Sequence, residues 1–202
     1  MNKGDIMKKI LLTIALVSLL SGTIFAVTGS FKEIHDDAIA SIKIDQDKLD
    51  TYKDNYENYL KKAEQDKKKG NTKSANLNSK GASSAYKVVD SLNDIIKYKK
   101  SFLKYQAKIQ EAGVAFSGKD MGTEVMFKIP KGMKPSTRIA NLNKCSEMYS
   151  DQAKTAKIKD SGSHLAVDYQ NLAKTTKSIA DSIESYDKAM SKYKKSVAEL
   201  NN

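Results

Sequence analysis

Cysteine, proline, arginine and tryptophan are scarce in this sequence of 202 residues, which contains one cysteine, two prolines, one arginine and no tryptophan. A single cysteine permits no disulfide bond within the chain and no metal site built on paired cysteines. Two prolines leave long stretches in which nothing interrupts a helix. The composition therefore favours long helices and argues against a small fold held together by disulfides.

Arg138 is the only arginine among 35 basic residues, so almost all of the positive charge comes from lysine, and the formal net charge is +11. Arginine supplies most bidentate contacts to phosphates and base edges, whereas lysine acts as a hydrated point charge. Specific recognition of nucleic acid is therefore disfavoured. Weak, salt-sensitive binding to anionic surfaces is the interaction that the charge itself favours.

The sequence contains no pattern typical of an active site or a cofactor site. It has no phosphate-binding glycine loop, no nucleophile elbow and no haem-attachment motif. Its two histidines, His35 and His164, are distant in sequence, and neither has a second histidine four residues away to complete a metal site. We therefore predict a non-enzymatic protein without a metal ion or a cofactor.

The N-terminal residues are typical of a secretory signal peptide. Two lysines precede an apolar run over residues 10–20, and small residues follow. This order predicts a signal peptide over residues 1–26, cleaved after Ala26, and export to a bacterial periplasm or beyond the cell. Cleavage leaves 32 basic and 23 acidic residues, a net charge of +9. In the alternative interpretation the bulky Ile24 impairs cleavage, and residues 10–27 anchor the chain in the inner membrane.

Residues 163–200 carry the longest periodic pattern in the chain. Apolar residues recur there at alternating steps of four and three, as in the seam of a coiled coil. The seam consists of Leu165, Tyr169, Leu172, Thr176, Ile179, Ile183, Tyr186, Met190, Tyr193, Val197 and Leu200. A narrow apolar stripe of this length is stable only against partner helices of similar length.

Three further amphipathic segments supply those partners. The predicted helices are about 31–68, 73–111, 137–159 and 163–200. The prediction is an all-α fold: an elongated antiparallel bundle of two long helical hairpins with coiled-coil-like seams, in an up-down-up-down order. Residues 27–202 would form one domain. The recurrence of Lys-Tyr-Lys-Lys-Ser in the second and fourth helices leaves open whether one hairpin is a duplicate of the other.

The charged residues of these helices are expected to face solvent. In the first helix they form an acidic outer face that includes Asp36, Asp37 and Asp45. The two Lys-Tyr-Lys-Lys stretches, residues 97–100 and 192–195, are expected at the same end of the bundle as that acidic face. Surface ion pairs of this kind contribute little stability each.

Residues 113–135 break the helical period. Apolar residues alternate there with polar or flexible ones, which predicts a β-hairpin or an irregular insertion between the second and third helices. Because irregular insertions on rigid scaffolds often carry recognition, its apolar side chains form a candidate partner-binding site. They are Phe116, Met121, Val125, Phe127 and Ile129. In the alternative interpretation the insertion is a lid over the end of the bundle.

Cys145 falls on the apolar side of the third predicted helix. One interpretation is a buried core residue, because cysteines outside disulfides are usually buried. The other is an intermolecular disulfide.

The leading functional hypothesis is an exported helical protein that acts by protein–protein interaction, with a partner that the sequence does not identify and with self-association open. The composition also resembles that of periplasmic holdase chaperones with helical tentacles, although those begin the mature chain with a strand and a helix begins here. That resemblance implies that unfolded clients gather on the lysine-rich faces. The third hypothesis is peripheral binding to anionic lipid or to an envelope polymer.

Overall fold

The computed structural model describes residues 29–114, 121–160 and 164–201, with side chains from residue 35 onward apart from that of Met121. These residues form five helices packed against one another, with no strand among them. The helices are α1 (Gly29–Lys68), α2 (Thr72–Glu111), α3 (Met121–Phe127), α4 (Pro135–Lys159) and α5 (His164–Leu200). The prediction of an all-helical fold is confirmed.

None of the described helices combines the length and the apolar character that a membrane span requires. The predicted signal peptide, residues 1–26, lies outside the described residues.

The tight turn between α1 and α2 is built by Gly70 and Asn71. Gly70 takes a left-handed φ of +75°, which residues with a side chain rarely adopt. The amide of Asn71 donates to the Asp66 carbonyl at 2.9 Å, and the Asn71 side chain accepts a hydrogen bond from the Ser74 amide at 3.2 Å. The same few residues therefore terminate α1 and cap the start of α2.

Polar contacts between the helices give their directions. The pairs are Asp45–Lys99 and Asp66–Asn78 for α1 and α2, Ser84–Ser196 and Lys108–Asp168 for α2 and α5, and Asn143–Lys177 and Ser146–Ala173 for α4 and α5. In each case rising numbers on one helix meet falling numbers on the other, so the two helices are antiparallel. Since α2 and α4 are both antiparallel to α5, they run in the same direction.

The predicted up-down-up-down order is therefore wrong. That order assumes a simple reversal after α2, whereas residues 112–134 are long enough to cross back along the bundle before α4 begins. The expectation that residues 97–100 and 192–195 share one end is wrong for the same reason. Ser196 bonds Ser84 at 2.9 Å, which places the second lysine stretch beside the first part of α2.

Residues 121–127 form the short helix α3 and not part of the predicted β-hairpin. Val125, Met126 and Phe127 are consecutive and all buried, which an alternating one-sided strand does not allow. The helix packs against α4 and α1, and the Phe127 ring lies 5.8 Å from the Phe102 ring of α2. A short helix enclosed by several neighbours buries adjacent residues, so its sequence shows no helical period.

The buried surface of α5 becomes narrower in the part of the helix against which α4 does not pack. Ala173 and Ala180 are buried on the side that α4 covers. Asp187 and Lys194, which continue this series at steps of seven residues, are exposed. The second half of α5 thus buries a single face, against α1 and α2.

We expect Ile183→Asp to destabilise the fold by several kcal/mol, because it places a carboxylate at a seam position that is 5% exposed. The matched control is Ser185→Asp, at an exposed position on the same helix. Urea unfolding followed by circular dichroism measures both variants. Equal midpoints would show that the seam of α5 is wrongly assigned.

Candidate functional site

A buried charged cluster joins α1 to α2. Lys99 is 1% exposed, and its Nζ donates hydrogen bonds to Ser41 Oγ and to Asp45 Oδ2, each at 2.6 Å. Asp45 is itself 8% exposed, and the Nζ of Lys48 lies 3.8 Å from its Oδ1. The Asp45 carboxylate therefore compensates the ammonium charge that α2 places in the core.

A serine beside a buried lysine is also the arrangement of a nucleophile and its base. Burial lowers the pKa of Lys99, although the neighbouring Asp45 raises it. The Asp45 carboxylate, 2.6 Å from the Nζ, nevertheless favours the ammonium form, which has no lone pair with which to take the hydroxyl proton. The geometry is that of an ion pair that holds α1 against α2.

Arg138 fastens α3 to the bundle. Its Nε donates to the Val125 carbonyl at 3.2 Å, and its Nη2 donates to the Met126 carbonyl at 3.0 Å. These carbonyls belong to the last turn of α3, where backbone acceptors lack partners within the helix. Burial lowers the pKa of Arg138 to about 10, and attraction to Asp45 opposes that shift. The single arginine of the chain thus serves the end of a short helix.

The cluster shows that the prediction of a solvent-facing Asp45 and Lys99 was wrong. In α1 the buried or half-buried seam runs through Ala38, Ile42, Asp45, Leu49 and Tyr52. In α2 it runs through Ile95, Lys99, Phe102, Gln106 and Ile109. Both series advance at alternating steps of four and three, so spacing alone could have found the pair. Tyr98 and Tyr105, the aromatic neighbours of Lys99 and Gln106 in the chain, are only half-buried.

Tyrosine rings fill the space between α1 and α5 in the part of the bundle that α4 does not reach. The rings of Tyr52 and Tyr59 lie 5.3 and 6.3 Å from the ring of Tyr193. Desolvation raises the pKa of Tyr52 and of Tyr193, and it is the main cause that raises the pKa of Tyr186 to about 12. These tyrosines, which we call the tyrosine layer, therefore favour the neutral phenol form.

The predicted partner-binding residues do not share one exposed surface in the part of the chain that the structure describes. Val125 and Phe127 are 7% and 6% exposed and belong to the core, whereas Ile129 is 46% exposed. Phe116 and the side chain of Met121 lie outside the described residues. Cys145 is fully buried, so the predicted intermolecular disulfide would require its side chain to become exposed.

Among residues 29–114, 121–160 and 164–201, no three His, Cys, Asp or Glu side chains come together as metal ligands. Two open clefts lie at opposite ends of α2. One is lined by residues that include Tyr59, Asp66 and Leu200, and the other by residues that include Lys108 and Asp168. Both are open and largely polar, unlike the concave apolar pockets that enclose small molecules.

We expect Lys99→Met to lower the free energy of unfolding by about 3–5 kcal/mol, because it leaves the Asp45 carboxylate buried without its closest partner. Asp45→Leu should be harmful for the converse reason. The double variant should cost clearly less than the sum of the two, since neither buried charge is left alone. Urea unfolding at neutral pH measures all three, and strict additivity would contradict a direct interaction.

Tyr186→Phe tests the tyrosine layer through pH. The pKa of Tyr186 is about 12 in the folded protein, against 10.0 for the ordinary side chain, so the unfolded chain loses this proton first as the pH rises. The contribution of the protonated Tyr186 to the stability of the folded state is therefore complete below pH 10 and lost between pH 10 and about 12. Denaturant unfolding across this range should show wild type weakening relative to the variant. A stability difference between wild type and variant that stays constant across this pH range would contradict the raised pKa of Tyr186.

No family model, curated protein or solved structure matches this chain.

Proposed function

We propose that this is an exported, non-enzymatic helical protein, in a bacterial periplasm or outside the cell, that acts by binding another protein. In this proposal the hairpins α1–α2 and α4–α5 serve as a rigid scaffold. The observation that best supports the proposal is a pair of exposed isoleucines beside the crossover, by which we mean the connection between α2 and α4 (residues 112–134). Ile44 is 55% exposed and Ile129 is 46% exposed.

Ile129 adjoins the contact between α1 and the end of α3, and Ile44 lies further along α1. Lys128, the neighbour of Ile129, forms a 2.9 Å ion pair with Asp37 of α1. Ile44 lies seven residues beyond Asp37, which is about two helical turns, and so occupies the same side of α1. We call Asp37, Ile44, Lys128 and Ile129 the crossover surface.

The composition of the crossover surface suits a protein partner. Protein interfaces combine apolar anchors with charged residues around them, and irregular connections on rigid scaffolds often carry recognition. Single exposed apolar residues are common on any protein, so the pairing of two isoleucines around an ion pair is the informative feature. Arg138, Val125 and Phe127 hold the connection in place behind this surface.

Site-specific photocrosslinking in the producing cells tests the proposal. A photoreactive amino acid replaces Ile129 in one variant and Lys174, an exposed α5 residue, in the matched control. We expect a few discrete proteins to be captured from position 129 and not from position 174. Mass spectrometry of the recovered chain should find its first residue at Val27, as cleavage after Ala26 requires.

Three outcomes would contradict a dedicated partner at this surface. Equal capture from both positions would show that the crossover surface is not selective. A broad set of unfolded proteins would favour the holdase, and capture of the chain alone would favour self-association.

A further inference from the structure

The turn between α1 and α2 carries a dense group of lysines. Residues 61–73 contain six lysines and two acidic residues. The lysines, all of them exposed, are Lys61, Lys62, Lys67, Lys68, Lys69 and Lys73, and we call them the basic tip. No carboxylate of the described residues lies within ion-pair distance of these six, whereas Lys80, Lys128 and Lys177 each have an acidic partner.

The part of the basic tip nearest the turn projects beyond the end of α5, whereas Lys62 lines a cleft together with Leu200. Leu200, the last residue of α5, lies beside Gly81 of α2, where an added Cβ would be 3.3 Å from the Leu200 Cδ1. Since α2 begins nine residues earlier, at Thr72, the turn extends about 13 Å further. Of the two acids, Asp66 accepts hydrogen bonds from Ser74 and Asn78 within the hairpin. The ammonium groups of Lys67, Lys68, Lys69 and Lys73 therefore belong to a projecting end.

We propose that the basic tip binds the headgroups of an anionic membrane surface. Lysine acts as a point charge and needs no bidentate geometry, so it suits a diffuse layer of headgroup phosphates. Clusters of lysine near a bilayer attract anionic lipid in this way. A projecting end also meets a flat surface without obstruction from α5. Because arginine is absent from the tip, recognition of base edges in nucleic acid is less well supported.

This inference goes beyond the proposed protein partner and concerns a separate surface. Lys67 lies 23 residues along α1 from Ile44, a separation of about 35 Å. The basic tip and the crossover surface could therefore be occupied together. One binding event does not depend on the other, so each can be tested alone.

Co-sedimentation with lipid vesicles tests the proposal. Protein purified from the producing cells is mixed at low salt with vesicles of phosphatidylglycerol and phosphatidylcholine, or of phosphatidylcholine alone. The variant K67Q/K68Q/K69Q removes half of the basic tip. The matched control K144Q/K157Q/K159Q removes three exposed lysines of α4 and changes the net charge equally.

We expect binding to the phosphatidylglycerol vesicles alone, with loss at high salt. The tip variant should weaken it on the order of a hundredfold, and the control variant should change it little. The single variant Lys68→Glu, which changes one exposed side chain, should weaken it more than Lys68→Gln.

Three results would overturn the proposal. One is the absence of low-salt binding to phosphatidylglycerol vesicles by the wild-type chain. Another is equal weakening in the tip and control variants, which would assign the attraction to overall charge. The third is tip-dependent binding of soluble polyphosphate or duplex DNA with no binding to vesicles, which would identify a soluble polyanion as the partner.

Discussion

The antiparallel packing of α2 against α5 is the contact on which the other helices depend. Each of the two has a second partner, since α1 lies on α2 and α4 lies on α5. The Ser84–Ser196 and Lys108–Asp168 contacts lie 24 residues apart along α2, so the central pair extends over about 36 Å. Because α4 is also antiparallel to α5, it runs parallel to α2, and the chain must cross back to begin it. The need for a crossing connection between α2 and α4 is a consequence of the central pair.

The Lys99–Asp45 pair fixes how α1 sits on α2. Buried ion pairs contribute little net stability, because desolvation of both charges offsets their attraction. They do penalise alternatives in which one charge loses its partner. If α1 slipped by one heptad along α2, the Asp45 carboxylate would face Leu92 or Gln106 in place of the ammonium group. The apolar residues of the two seams tolerate such a slip far better than the ion pair does, so the pair specifies the register.

The helices were predictable because one apolar face sets their spacing, and all eleven predicted seam residues of α5 are buried or half-buried. The predictions that were wrong concern how the helices pack against one another. Lys99 is buried because of a partner 54 residues earlier in the chain, and α3 is enclosed on several sides and so shows no period. At the proposed crossover surface, the break in periodicity predicts Ile129 as a partner-binding residue, and this stays a prediction. The sequence does not predict Ile44, because an isoleucine off the seam of a long helix gives no sign of its neighbours.

The contacts that build the core also separate the charges of α1. Two acids in its first half have internal partners, Asp37 with Lys128 and Asp45 with Lys99, while the six lysines of the basic tip have none among the described residues. The helix dipole favours Lys67 and Lys68, because both lie in the last turn of α1. The two surfaces therefore differ in kind. The crossover surface combines apolar side chains with a neutralised ion pair, and the tip presents charge alone, so different partner chemistry is expected at each.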